Sequence, residues 1–374
     1  MKEYKLSEIL TIKNGRDYKN LKNGLYPVYG SGGLMCTVDN YLYERPSVLL
    51  PRKGTLSNIQ FADSPFWTVD TLYYTEIDSH LAEPYYLYYY LKQLDLTQLN
   101  SGTGVPSMTF DSYYNIKVNL PNIHEQRAVG QFLSVLDDKI QLNKRINDNL
   151  EAMAKQLYDY WFVQFDFPNE EGKPYKSSGG AMVWNEKLKR EIPQGWIICQ
   201  IKDFMRIFTG KKDVSKAVPG NYKFFSCAPE PITSNEYIYD GYAVLVSGNG
   251  SYTGRVGFYK GKFDLYQRTY ACVLDEEVRN ISFFYYTLRY LFQPIYSGGK
   301  HGSSIPYIVL GDLADFRFVF NEMVCKKFVD IVTPMFDEQL LRLQEIEELT
   351  KQRDALLPLL MNGQASVNYH LSDD

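Results

Sequence analysis

Few segments of this sequence could carry catalytic chemistry. Glycine-rich stretches occur as VYGSGG at 28–33 and VSGNG at 246–250. Neither has the strand–turn–helix context of a nucleotide-binding loop, and the sequence has no G-x-x-x-x-G-K-[S/T] segment. We therefore expect no nucleotide or methionine-cofactor site in this chain.

Other catalytic motifs are also missing. The tetrapeptide DSPF at 63–66 resembles the Asp/Asn-Pro-Pro-aromatic motif of amino-methyltransferases, but Ser64 replaces the first Pro, so we interpret it as a turn. The 4 histidines lie far apart, and no Ser/His/Asp or Cys/His set is evident. We expect a chain that is not an enzyme and holds no metal ion.

Composition is typical of a globular protein of two domains plus connecting structure. The 374 residues are 45% hydrophobic and 22% charged, with an aromatic content of 15% that comes mostly from 32 Tyr and 21 Phe. The net charge of −4 argues mildly against a protein that coats nucleic acid by charge alone. An odd number of scattered cysteines, 5 in all, favours reduced thiols. With neither a signal peptide nor a membrane-spanning run, we predict a cytoplasmic protein.

An internal repeat is the most informative feature, because one pattern recurs after about 196 residues. The matching pairs, in the same order in both halves, are 6–15 with 201–210, 26–29 with 222–225, 47–50 with 243–246, 85–91 with 283–291, 101–106 with 297–306, and 116–120 with 316–320. Each half then ends in a helical segment. The shared order predicts two domains of the same fold.

The helical segment after the first half runs from His124 to Phe162 and contains no Pro. Its apolar residues recur at steps of three and four, and the polar Asn143 fills the one gap. The predicted stripe consists of Leu136, Ile140, Ile146, Leu150, Met153 and Leu157.

The second helical segment starts at Glu322. Because Thr333 and Pro334 have the residue types of an N-cap and a first helical position, we expect a new helix to begin there. We expect a bend at Pro358 and an end at Gly363. Its predicted stripe is Leu343, Ile346, Leu349, Leu356 and Leu360. We predict that the two stripes pack together antiparallel, with the alternative that each helix covers only its own domain.

These features predict an α+β fold, with two similar globular α/β domains separated by two long antiparallel helices in a pseudo-twofold repeat. The expected division is a first domain at 1–120, a central helical region at 121–165, a surface connector at 166–195, a second domain at 196–320, a distal helical region at 321–363, and a frayed tail at 364–374.

The helical regions carry a resemblance to a known family. The segments LPNIHEQR at 120–127, FLSVLDDKIQLNK at 132–144, LYDYWF at 157–162, FDFP at 165–168 and KQRDALLPLLMNG at 351–363 resemble the helical regions of specificity (S) subunits from type I restriction–modification systems. The second copy departs from the pattern, with Asn321 and Cys325-Lys326 where the first has Pro121 and Glu125-Gln126. Equivalent partner contacts at those positions are therefore in doubt.

The resemblance implies a non-catalytic subunit that binds double-stranded DNA, each globular half being a target recognition domain for one half of a split, asymmetric site. It implies that the helices space the domains and dock two methyltransferase (M) subunits. Restriction/motor (R) subunits would add translocation and cleavage. S-adenosylmethionine, ATP and Mg would bind on these partner subunits, and none on this chain.

Polar residues beside glycine in the loops are the candidates for DNA contact, because such loops approach grooves closely. In the first domain they are Arg52, Lys53, Asn58, Ser101 and Thr103, and in the second they are Asn249, Ser251, Thr253, Arg255, Lys300, His301, Ser303 and Ser304. Arg255, in a glycine-flanked loop, is expected to contact a base. For any single residue the alternative is a solvated loop side chain, and His301 could equally be structural.

Other classes of function remain open from the sequence. The chain could be a DNA-binding protein that acts without methyltransferase partners, and an embedded nuclease or methylase is disfavoured by the missing motifs. The aromatic-rich repeats could instead form a non-DNA interaction or glycan-binding scaffold. A gel-shift with a salt titration separates this scaffold from a DNA-binding protein, because phosphate contacts lose affinity steeply with salt.

Overall fold

The structure is a computed structural model that describes residues 1–96, 106–275, 280–302 and 304–367. The chain divides into two compact units, which we call unit 1 (Met1–Lys144 with the segment from Gln344 onward) and unit 2 (Arg145–Leu343). Two long helices, Ile123–Tyr158 and Glu322–Met361, contribute residues to both units.

Unit 1 begins with a strand that pairs with the last strand before the long helix. Its elements are β1 (Lys2–Lys5), α1 (Leu6–Ile9), β2 (Leu10–Lys13), β3 (Tyr26–Gly30), β4 (Gly33–Val38), β5 (Ser47–Pro51), β6 (Gln60–Ala62), β7 (Trp67–Thr68), β8 (Leu72–Ile77), α2 (Pro84–Lys92), α3 (Phe110–Tyr114), β9 (Lys117–Leu120) and the start of α4 (Ile123–Tyr158). All five residues of β5 are buried, as expected of a central strand covered on both faces.

Unit 2 contains the end of α4 and a second set of strands. After a π-helical turn at Asp159–Val163 come β10 (Met182–Asn185), β11 (Arg190–Pro193), β12 (Ile197–Gln200), a 3₁₀ turn at Ile201–Asp203, β13 (Arg206–Thr209), a 3₁₀ turn at Val214–Lys216, β14 (Tyr222–Phe225), β15 (Ile232–Ser234), β16 (Tyr239–Ser247), β17 (Val256–Leu265), β18 (Thr269–Val273), α5 (Ile281–Thr287), a π-helical turn at Leu288–Phe292, α6 (Gln293–Tyr296), α7 (Leu310–Ala314), β19 (Arg317–Phe320) and the start of α8 (Glu322–Met361).

The two units repeat one topology. The main sheet has the order β2-β8-β5-β6 in unit 1, and the corresponding strands of unit 2 have the order β13-β18-β16-β17. In each unit the strand that precedes the main sheet pairs antiparallel with the last strand of the unit, β1 with β9 and β12 with β19. The predicted duplication is therefore confirmed for these strands.

The units differ where the edge hairpin joins the sheet. In unit 2 the single strand β17 pairs with both β16 and β14, so the β14–β15 hairpin extends the main sheet to six strands. In unit 1 this strand is replaced by the short β6 and β7, and the β3–β4 hairpin pairs with β7 in a separate three-stranded sheet.

The long helices contact each other antiparallel within each unit. In unit 1 the Arg353 guanidinium donates to the Asp137 carboxylate at 2.6 Å, and Asn143 Nδ2 donates to Glu345 Oε2 at 2.9 Å. In unit 2 Gln339 Nε2 donates to the Asn147 backbone oxygen at 3.2 Å. Residue numbers fall along α8 as they rise along α4, so the predicted antiparallel packing is confirmed within each unit.

The predicted start of a helix at Thr333-Pro334 is wrong, because α8 begins at Glu322 and continues through Pro334. Phe328, Val332 and Phe336 are buried at steps of four on either side of this proline, while Pro334 itself is exposed. One continuous apolar face thus stabilises the helix across a residue that removes a backbone hydrogen bond. The predicted end is confirmed, since Gly363 follows the helix with φ of +76°.

The predicted surface connector at 166–195 is a folded segment. It contains the β10–β11 hairpin, and Phe167 is buried between Tyr175 and Trp196, with ring centroids 4.6 and 5.2 Å away. Aromatic packing therefore outweighs the Gly, Pro and Ser composition that predicted a loop.

The predicted fraying at 364–374 does not begin at its first residues. Ala365 donates its N–H to the Leu359 oxygen at 3.0 Å, and Ala365 and Val367 pack against the core of unit 1. Residues 368–374 lie outside the described residues.

Candidate nucleic-acid interface

In unit 1 the loop after β5 pairs with the segment before α3. Gly54 N–H donates to the Pro106 oxygen at 3.0 Å, and Met108 N–H donates to the Arg52 oxygen at 3.0 Å. Gly54 has φ of +93°, a conformation that L side chains rarely adopt. We call residues 52–54 and 106–108 the paired loops of unit 1.

Unit 2 forms the same arrangement. Gly250 N–H donates to the Pro306 oxygen at 3.0 Å, and Ile308 N–H donates to the Gly248 oxygen at 2.9 Å. Gly250, the counterpart of Gly54, has φ of +81°. Residues 248–250 and 306–308 are the paired loops of unit 2, and the sequence match of 101–106 with 297–306 is confirmed at its shared Pro.

The paired loops of unit 1 place cationic side chains beside aromatic rings. Lys53 is exposed, and the Arg52 guanidinium donates to the Asp70 oxygen at 3.3 Å while lying 5.9 Å from the centroid of the Tyr73 ring. A concavity of about 320 Å³ here is lined by Asn14, Arg52, Lys53, Tyr73, Ser107, Met108, Thr109 and Phe110. A cation over a ring next to exposed backbone suits a phosphate or a base edge.

The paired loops of unit 2 have a comparable surface. The Lys300 ammonium lies 4.2 Å from the Tyr296 ring centroid. The His301 ring stacks on Tyr307 at 5.2 Å, and its Nε2 lies 3.1 Å from Asp312 Oδ2. Among the other candidates, Asn249 forms a backbone bridge with Tyr307, and Ser251 and Ser304 are exposed.

Several candidate side chains point into the protein instead of outward. Thr253 is 2% exposed, and its Oγ1 donates to the oxygens of Gly250 at 2.7 Å and Pro306 at 2.9 Å, which closes the loop. Asn58 Nδ2 donates to the Ser31 oxygen at 2.7 Å. These two side chains hold loops in place and are not free to reach a base without breaking those bonds.

Arg255 is likewise turned toward backbone. Its Nη2 donates to the Ala228 oxygen at 2.6 Å and its Nη1 to the Pro229 oxygen at 3.3 Å. Burial lowers the pKa of the Arg255 guanidinium. In this structure the Arg255 side chain therefore faces protein backbone, and its expected base contact stays a prediction.

Three candidate residues remain, together with the tyrosine rings that lie beside the paired loops. Ser101, Thr103 and Ser303 lie outside the described residues. The rings of Tyr73, Tyr296 and Tyr307 were not singled out from the sequence, although Tyr307 directly follows the matched Pro306. Only the topology brings Tyr73 and Tyr296 to the paired loops. Their aromatic type offered no distinguishing signal in a chain with 32 Tyr.

The predicted stripe residues of the helices are mostly at least half-buried. Ile140 and Leu360 are buried, and Leu136, Ile146, Leu150, Leu157, Ile346, Leu349 and Leu356 are half-buried. Met153 and Leu343 are 53% and 55% exposed, so their assignment to the buried stripe is wrong. At the first of these sites the helical step brings Ala154 to the buried position instead.

Within 1–96, 106–275, 280–302 and 304–367, no group of three or more His, Cys, Asp or Glu side chains could hold a metal ion. In the same ranges, no helix is both long and apolar enough to span a membrane.

Comparison with known proteins decides the family. Residues 1–152 and 193–349 match the family described as the type I restriction modification DNA specificity domain. The chain belongs to the type I specificity subunits. The resemblance found in the helical regions is thereby confirmed, and the domains of this specificity subunit recognise DNA sequence.

Individual relatives agree with this assignment. The type I restriction enzyme MjaIX specificity subunit of Methanocaldococcus jannaschii is 24% identical over 360 residues, covering 87% of this specificity subunit and 79% of the relative. The EcoDI specificity subunit of Escherichia coli is 32% identical over 180 residues, covering 46% of this chain and 39% of the relative.

A solved structure shares the fold. The type I restriction–modification S subunit from M. genitalium superposes with a TM-score of 0.69 at 17% identity, covering 96% of this chain and 95% of that chain. The glycan-binding alternative finds no support among these relatives.

Proposed function

We propose that each recognition domain reads one half of a bipartite, asymmetric DNA site, and that the two long helices set the spacing of the half-sites and dock methyltransferase subunits. The observation that carries the proposal is the recurrence of the paired loops in both units. The same backbone hydrogen bonds, Gly54 to Pro106 and Gly250 to Pro306, hold them.

The paired loops of the two units carry different side chains, which supports the proposal that the two domains read different half-sites. Unit 1 presents Arg52 and Lys53 before Gly54, whereas unit 2 presents Gly248 and Asn249 before Gly250. Arg and Lys pair with the guanine O6/N7 edge, while Asn pairs with the adenine N6/N7 edge. A common backbone with different donors suits the reading of unlike base sequences.

The helices support the spacing role through their length and mutual contacts. They are 36 and 40 residues long, so each spans about 54 to 60 Å at ~1.5 Å per residue. Side chains with an exposed apolar surface, such as Met153, Ile331 and Leu343, remain on them. Such surface suits the docking of partner subunits.

The partner subunits supply the chemistry in this proposal. Methyltransferase subunits bind S-adenosylmethionine and methylate the site, and restriction subunits use ATP and Mg to translocate and cleave DNA. This chain binds no cofactor and contributes recognition alone.

The experiment that tests the proposal is co-expression with a type I methyltransferase subunit of the same system, followed by methylome sequencing. We expect methylation at one motif with two specified parts separated by a fixed unspecified gap. A continuous motif, or no motif beyond that of the methyltransferase alone, contradicts the proposal. Gel-shifts on the motif should show a steep fall of affinity with salt.

A further inference from the structure

In unit 1 the turn after β3 is held by side-chain donors from the segment that follows residues 52–54 of the paired loops. We call residues 31–34, which include the first two residues of β4, turn A. Asn58 Nδ2 donates to the Ser31 oxygen at 2.7 Å, and Gln60 Nε2 donates to the Gly30 oxygen at 2.8 Å. A Cβ built on Gly54 would lie 3.4 Å from Ser31 Oγ. Turn A therefore lies beside the paired loops.

The equivalent turn of unit 2 is held in the same way. Residues 226–230, which we call turn B, follow β14, the counterpart of β3. Arg255 donates to the Ala228 and Pro229 oxygens at 2.6 and 3.3 Å, and Ser247 Oγ donates to the Cys227 oxygen at 3.3 Å. In both units, side chains from the loop or strand next to the paired loops thus bind backbone carbonyls at the end of an equivalent strand.

The similarity lies in geometry and not in residue type. An amide holds turn A and a guanidinium holds turn B, yet each donates to the carbonyls of the segment that leaves the β3 or β14 strand. Each turn is thus held close to the loops proposed to meet DNA.

The outward faces of the turns carry groups that can read bases. In turn A the space beside Gly32 and Gly33 is open, because a Cβ at either position would have no heavy atom of the described residues within 4 Å. The Leu34 side chain is 65% exposed. Apolar side chains contact the thymine methyl group. In turn B Ala228, Pro229 and Glu230 are exposed, and a Glu carboxylate accepts from cytosine N4.

We propose that turns A and B determine sequence preference, with Leu34 and Glu230 in contact with bases and with Asn58 and Arg255 as positioning residues behind them. This rests on the proposed function, and names which segments of the recognition domains read DNA. It also reassigns Arg255, because a direct base contact would require its guanidinium to leave two carbonyls.

The test uses the complex with the methyltransferase subunit and two readouts, the methylome and competition gel-shifts on the motif. For unit 1, Leu34→Ala and Asn58→Ala should relax preference at the same base position of one half-site, by about 5- to 100-fold in competition. The other half-site should stay unchanged. Leu25→Ala is the matched control, because Leu25 is 91% exposed at the opposite end of β3.

For unit 2, Glu230→Ala and Arg255→Ala should relax one shared position in the other half-site. Arg317→Ala, at an exposed site on β19, should leave both half-sites unchanged. If Arg255→Ala relaxes a position while Glu230→Ala relaxes none, Arg255 contacts the base itself and the positioning role is wrong. Leu34 and Glu230 are exposed, so their variants report on contact even if Asn58→Ala or Arg255→Ala impairs folding.

Failure of this inference is distinguishable from failure of the proposed function. If the unaltered complex methylates no bipartite motif, the proposed function itself is wrong. If it methylates a bipartite motif and both Leu34→Ala and Glu230→Ala keep it with full preference, the proposed function stands and the turns do not read DNA.

Discussion

At the scale of single residues, the Gln126 side chain links the start of α4 to the segment just before α2 by hydrogen bonds. Its Nε2 donates to the Leu81 and Pro121 oxygens at 3.1 and 2.9 Å, and its Oε1 accepts from Glu83 N–H at 2.9 Å. It is buried, so it contacts the interior of unit 1 and not a partner. The segment LPNIHEQR at 120–127, which carries part of the family resemblance, therefore has a structural role in unit 1.

The helix caps correct the residue correspondence between the two copies. Asn122 accepts from Glu125 N–H and Asn321 accepts from Val324 N–H, so the two Asn residues are equivalent. Gln126 therefore corresponds to Cys325, which is buried in the apolar core of unit 2. The two copies therefore differ at this position in how a buried residue is accommodated. Gln126 makes buried hydrogen bonds in unit 1, whereas Cys325 packs among apolar side chains in unit 2.

The role of Gln126 predicts a stability effect. We expect Gln126→Ala to lower the free energy of unfolding by about 1–3 kcal/mol, because it leaves buried backbone groups without partners. Urea denaturation measures this. Gln141→Ala, at an exposed site on the same helix, should change stability by less than about 0.5 kcal/mol. Equal stability of the two variants would show that the buried hydrogen bonds contribute nothing measurable.

Residue identity alone could locate the loops but not the direction of their side chains. The clusters around Arg52 and Asn249 were found from Gly, Arg, Asn and Ser in one segment, and the structure pairs both with the predicted Pro segments. Thr253 and Arg255 have the same residue types as surface contacts, yet both bind backbone carbonyls. The partners Pro306, Ala228 and Pro229 are distant in sequence, so no local pattern could reveal them.

At the scale of elements, α8 shows how packing overrides a helix-breaking residue. Pro334 lies inside the helix with its ring exposed, while Phe328, Val332 and Phe336 are buried on the opposite face. Burial of each such side chain contributes about 1.5–3 kcal/mol. The three side chains together contribute about 4.5–9 kcal/mol, which exceeds the cost of about 3 kcal/mol for one proline, so the helix continues.

The exposed proline predicts a stabilising substitution. We expect Pro334→Ala to raise the free energy of unfolding by about 1–3 kcal/mol, because it restores a backbone N–H donor and removes the ring. Thermal unfolding measures this, with Asp337→Ala at a nearby exposed site as control. A lower melting temperature for Pro334→Ala would mean that the helix requires the distortion.

Elements whose pattern repeats were predictable, and those held by distant packing were not. The internal repeat allowed the first half of the sequence to be compared with the second. It matched β5 to β16 and β9 to β19. Among the residues of unit 1 that the structure describes, no hairpin corresponds to β10–β11. Its segment is held by contacts such as Phe167 on Trp196, which composition cannot indicate.

At the scale of the whole molecule, each unit is completed by residues from both long helices. Leu360 and Met361, near the end of the chain, are buried in the core of unit 1 together with Leu6 and Tyr86. Unit 2 in turn buries Tyr158 of α4 together with Phe328 of α8. A change in helix length therefore has to be made in both helices at once to keep the pairing inside each unit.

Paired deletions test the helices as the spacer between half-sites. Removing 141–147 from α4 and 340–346 from α8 takes about two helical turns from each, so the remaining faces keep nearly the same orientation. The helices shorten by about 10 Å, which corresponds to ~3 base pairs at ~3.4 Å each. We expect the methylome of this variant to keep both half-site sequences and to lose about that number of base pairs from the gap. Leu142→Ala, an exposed change inside the deleted stretch, should keep the original gap because helix length is unchanged. An unchanged gap in the deletion variant would mean that something other than helix length sets the spacing.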